Sequence, residues 1–289
     1  MIHQLPHAGL RAVLVIVVAL MPMMILPDQP PAVVEAVVLI ALFAGVFTLV
    51  EYASIYPGLV EFRDAPPFNR VRFGLLTVML ALIAVALTEV EGAAAPVRLV
   101  QSVGLLLGQS IDLPYSPLRV VMASLPEGTT VLEARIVRMT GGLAYLVALM
   151  ALTVFSILIR VRAWPAGPHG FNVWINLPTF DPTAGADVVA RLRRDGVVNI
   201  LLGLLLPYAT PPLAMMLARL YGLSAMENPL ALCWTMTLWA FLPASLFLRG
   251  IALRRLALMI ETQRRRYVDP EAPVERDAYA PRPSASSSF

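Results

Sequence analysis

The feature that most restricts this chain is the length of its apolar blocks. Residues 10–26, 32–52, 73–88, 139–159, 197–219 and 230–248 are long runs that hold almost no charge. A bilayer core about 30 Å thick takes roughly 20 apolar residues of helix to cross. Only 14% of the chain is charged and 58% is hydrophobic, whereas a soluble domain carries about 25% charged residues. The surplus is too segmented to be one large soluble core. The pattern predicts an all-α fold: a polytopic transmembrane helix bundle of about six spans.

The fifth block is the unusual one, because Pro207, Pro211 and Pro212 fall near its middle. Each proline lacks an amide donor and clashes with the preceding turn. The spacing predicts a proline-broken span that unwinds between Pro207 and Pro211. The carbonyls of Gly203, Pro207 and Tyr208 lose their helical donors, and lipid offers none in return. Neighbouring spans or trapped water must therefore pack around the break.

Along the chain, residues 27–31 form a tight link, so the first two spans should lie side by side as an antiparallel hairpin. The run after Arg11 is long for a signal peptide and no small-x-small cleavage pattern follows it, so it reads as a first span. Residues 97–109 are apolar but interrupted by Arg98, Gln101 and Gln109. They are read as an interfacial or re-entrant helix, since a seventh crossing would put later arginine-rich segments on opposite sides. A short helix over 117–124 follows. Thr130 and Glu133 match a capping box that opens a long helix into the fourth span.

In the connector at 160–195, Trp164, Phe171 and Trp174 suit an interfacial belt. Asp181-Pro182 reads as a helix start, and residues 186–195 as an amphipathic surface helix. Gly196 then reads as a turn into the fifth span. Asn228-Pro229 opens the sixth, whose helix continues past Gly250 to Arg264, Arg265 and Arg266. Beyond Asp269, Pro, Ala, Ser and charges alternate without periodicity, so residues 269–289 read as a disordered cytoplasmic tail on a membrane domain of residues 1–268.

Orientation follows from the basic residues, all of which are arginines. With the N-terminus inside, connectors 53–72 and 160–195 and the tail are cytoplasmic, and they hold nearly all the unbalanced arginines. The expected location is a bacterial inner (plasma) membrane, with both termini on the cytoplasmic side.

Chemical signals are sparse. His3 and His7 stand four apart with Pro6 between them, and His169 is isolated in a Gly167-Pro168-His169-Gly170 turn. No nucleotide loop, zinc-protease pair or serine elbow is present, so no cofactor or metal is implied. Cys233 stands alone mid-span and reads as a small buried apolar residue. Glu35 and Glu51 lie near opposite ends of the second span, and Asn199 is expected to hydrogen-bond between helices. Gly104 and Gly108 have the spacing of a close helix contact.

These readings predict a non-catalytic multi-pass protein, an accessory, assembly or scaffold component of a larger membrane complex. The alternative is a transporter or channel for a small solute, with Pro207, Tyr208, Thr210, Pro211 and Pro212 as the substrate site. Arg264, Arg265 and Arg266 are expected to meet anionic lipid headgroups, worth about 1 kcal/mol each. Membrane lipids and other membrane proteins are the expected partners. Nucleic acid is not, because there is no basic soluble domain to bind it.

Overall fold

The computed structural model describes residues 5–26, 28–88, 94–161, 164–165, 171–181, 187–221 and 228–268, with the backbone alone for Tyr221 and 266–268. Its regular structure is helical throughout: α1 (Leu5–Ile25), α2 (Pro31–Ala53), α3 (Phe68–Leu87), α4 (Ala95–Ile111), α5 (Pro117–Ala123), α6 (Val131–Val161), α7 (Val173–Asn176), α8 (Val188–Tyr221) and α9 (Pro229–Val268). Six of these, α1, α2, α3, α6, α8 and α9, are long and apolar enough to cross a membrane. That is the architecture of a multi-pass membrane protein. The tail from Asp269 and the turn around His169 lie outside the described residues, as does His3.

Helices α3, α6 and α9 pack on one another and form the centre. Leu80, Ile83, Leu143, Phe155 and Leu248 are fully or almost fully buried there. Lipid is as apolar as these side chains, so their association depends on close fit more than on escape from water. Small residues provide that fit. A Cβ on Gly142 of α6 would lie 2.4 Å from the Gly108 amide of α4, and one on Gly250 of α9 would lie 2.7 Å from the Gly196 carbonyl of α8.

Helices α1 and α2 pair as the expected hairpin, with Arg11 over the Tyr52 ring and Ile16 against Gly45. Helix α4, 17 residues long, is not among the six. Gln101 Nε2 donates to the Ala86 carbonyl at the end of α3, at 3.1 Å. Asp112, just past the C-terminal end of α4, pairs with Arg138 at 3.0 Å and Arg119 at 2.9 Å. The middle of α4 is thus tied to the end of α3 through Gln101, and its C-terminal end to α5 and α6 through Asp112. The capping box holds as read: the Thr130 amide donates to Glu133 Oε2 at 2.7 Å and the Glu133 amide to Thr130 Oγ1 at 3.2 Å.

Several local expectations are corrected. Gly196 is not a turn: α8 runs through it without interruption, because its missing side chain lets α9 approach. Among the described residues, the helix expected over 186–195 is not separate: from Val188 onward it is the first part of α8. Helix α8 begins at Val188, capped by Asp187, whose Oδ2 accepts from the Ala190 amide at 3.2 Å. Pro182 lies outside the described residues. Asn199 bonds within its own helix, donating to the Asp195 carbonyl at 2.7 Å.

Trp164 and Phe171 do not form a belt. Trp164 is buried, its ring centroid 5.5 Å from Phe62 and 6.1 Å from Phe155, and Phe171 lies 6.3 Å from Phe62. Trp174 alone of the three is well exposed. These rings join the described parts of the two connectors into a cap. Trp164 Nε1 donates to the Ala65 carbonyl at 3.1 Å, and the buried Asn176 accepts from the Asp64 amide at 3.0 Å. Glu61 clamps the cap to α9 through a bidentate pair with Arg249 at 2.6 and 2.7 Å.

Candidate functional site

The three prolines of α8 decide the geometry of the site. The helix is continuous from Val188 to Tyr221 with Pro207, Pro211 and Pro212 inside it. The unwound stretch expected between Pro207 and Pro211 is absent. What the prolines do create is an acceptor. Pro211 has no amide to give the Pro207 carbonyl, and the indole Nε1–H of Trp239 on α9 donates to that oxygen at 3.0 Å. A donor from a neighbouring helix replaces the one that Pro211 removes. Thr210 Oγ1 is also satisfied locally, donating to the Leu206 carbonyl at 2.8 Å.

Beside this contact lies a groove of about 190 Å³. Its floor is the Trp239, Pro243 and Phe247 side of α9, and Tyr145 and Leu152 of α6 face Gly203 and Tyr208 of α8 across it. A Cβ on Gly203 would lie 2.9 Å from the Pro243 carbonyl, so this glycine fixes how closely α8 approaches the floor. Of the five residues expected to mark the site, Pro207 and Tyr208 line the groove; Thr210, Pro211 and Pro212 do not.

The lining has two phenols and one indole N–H already in use, and no acid, base, thiol or metal ligand among its residues. Such a surface suits hydrocarbon. Trp239 is the residue that reading the sequence missed. A buried tryptophan seeks an acceptor for its N–H, and a proline-rich neighbouring span is where spare carbonyls occur.

The arginines at the end of α9 are brought to the start of α8. Arg264 Nη1 donates to Asp187 at 2.5 Å, Arg265 to Glu261 at 2.9 Å, and Arg193 of α8 also pairs with Glu261. The Arg264 guanidinium beside Asp187 holds that carboxyl below the usual range. Arg264 and Arg265 remain 54% and 80% exposed, so pairing leaves them open to the surroundings. The side chain of Arg266 lies outside the described residues.

No protein-family profile, curated protein or solved structure matches the chain.

Proposed function

We propose that this chain is a non-catalytic component of a larger membrane complex, serving assembly, scaffolding or another accessory role in a bacterial inner membrane. The observation that supports this reading is the surface of α8. That helix packs mainly on α9, with α5 at one place. Val197, Leu201, Leu205, Leu213, Met216 and Leu220 stand exposed along it. A helix held on one side offers the rest of its length to a neighbour. The transporter reading wants polar groups at the site, and the groove lining supplies only phenols and an occupied indole.

The test places a photo-crosslinking residue at Leu205 or Met216 in intact membranes, with Phe43 on α2 as an exposed apolar control. A discrete protein adduct at α8 that is absent at Phe43 is the expected result. Lipid adducts alone at all three positions would overturn the reading. The arginine asymmetry supports a cytoplasmic position for both termini. Reporter fusions at Asp64 and Ala184 should read inside and one after Gln29 outside; the reverse pattern would invert the orientation.

A further inference from the structure

At the arginine-rich end of the bundle, away from the groove, a polar cleft of about 150 Å³ is lined by His7, Arg11, Tyr52, Arg63 and Asp64. His7 and Arg11 stand one helical turn apart on α1, so both face the same way. The Arg11 guanidinium lies 4.3 Å from the centre of the Tyr52 ring, and among the described residues no carboxylate pairs with it. Arg11, Arg63 and Arg72 all act electrostatically on Tyr52, against the carboxylate of Asp64.

The cleft is rigid on its inner side. Arg63 is buried, and its Nη1 donates to the Glu51 carbonyl at 3.1 Å and the Ser54 carbonyl at 2.6 Å, closing the end of α2. The Glu51 carboxylate is spent on the amides of Gly58, Leu59 and Val60, at 2.9 to 3.1 Å. Asp64, the acid in the cleft lining, pairs with Arg63 at 3.4 Å, and Glu61 is held by Arg249. Positive charge is therefore left over on the open side of the cleft, at Arg11.

We propose that this cleft binds the phosphate of an anionic phospholipid, with Arg11 as the principal contact and His7 and Tyr52 as further hydrogen-bonding groups. A guanidinium presents parallel N–H donors that match phosphate oxygens. The lipid source follows from position. The cleft sits at the end of the apolar α1–α2 hairpin, where a headgroup would lie if that hairpin spans. The loop between Tyr52 and Arg63 exposes Ile55, Tyr56 and Leu59, an apolar rim suited to acyl chains.

The full chain in mild detergent would be offered phosphatidylglycerol or phosphatidylcholine with matched acyl chains, and retained lipid read by native mass spectrometry. Wild type should prefer phosphatidylglycerol, and added salt should shrink that preference. Arg11→Gln should lower the preference about fivefold to tenfold, whereas Arg219→Gln at the far end of α8 should leave it unchanged. Equal retention of the two lipids, a preference indifferent to salt, or an Arg11→Gln chain that melts normally and keeps its preference would each overturn the proposal. Displacement of phosphatidylglycerol by inorganic phosphate alone would overturn the lipid assignment in favour of a soluble phosphate ligand.

Discussion

The Trp239 indole donates to the Pro207 carbonyl at 3.0 Å, and this single bond joins α9 to the point where α8 lacks its own donor. It serves one of the three carbonyls that Pro207, Pro211 and Pro212 leave without a helical donor in the continuous α8. The clash of a proline ring still bends a helix, but the orphaned acceptor is matched across the interface.

Trp239→Phe removes the donor and leaves the Pro207 carbonyl without it. The expected loss is about 1 to 2 kcal/mol, since hydrogen bonds between membrane helices measure in that range or a little below. Pro211→Ala returns an amide at the position that normally serves this carbonyl, so it should recover part of the loss when combined with Trp239→Phe. Denaturant unfolding in mixed micelles measures both. Additive effects, with no recovery, would show that the indole contributes volume and not its N–H.

The groove beside this bond should be dry. A cysteine replacing Tyr208, which lines the groove, in a Cys233→Ser background should resist a membrane-impermeant thiol reagent from either side. Cys233 is itself fully buried, so its replacement does not alter the groove surface. Ready labelling at Tyr208→Cys, blocked by a small solute, would favour a transport site over the accessory role.

Glycines divide sharply by what surrounds them. Gly142→Ala would bring a Cβ to 2.4 Å from the Gly108 amide, and overpacking of this kind costs about 1 to 3 kcal/mol. Gly74→Ala meets nothing within 4 Å and should stabilise α3 by roughly 0.5 to 1 kcal/mol through helix propensity. Opposite shifts in thermal melting are expected. Equal shifts would mean that the α4–α6 contact is loose.

The pairing of Asp187 with Arg264 sets a pH dependence at the junction of α8 and α9. Asp187 titrates below its ordinary value because the Arg264 guanidinium hydrogen-bonds its charged form. Its contribution is therefore complete at neutral pH and above the unfolded value of about 3.9, and is lost as pH falls through the lowered folded value. Both groups are well exposed, so the effect is small. Spin labels at Ala190 and Gln263 should show a distance distribution that broadens only in that acid range. Asp187→Asn should be broad already at neutral pH; a narrow distribution in that variant would rule out the pair as the tie.

Read without coordinates, the sequence determines the six apolar helices, their order, the α1–α2 hairpin, the capping box at Thr130 and the continuation of α9 past Gly250. These depend on hydrophobic length, local capping and short links, all of which lie within a few residues of one another. The tertiary structure decides what each interruption means. Gly196 reads as a turn until Gly250 is found against it, and Trp164 reads as a belt residue until Phe62 and Phe155 surround it. Pro211 reads as a break because its missing amide is a local fact, whereas the compensating Trp239 stands on another helix 28 residues further along the sequence. The cleft around Arg11 likewise joins residues from α1, α2 and a connector. A residue's unsatisfied groups can be listed from the chain alone, but their partners lie across packed interfaces whose pairing is fixed by shape.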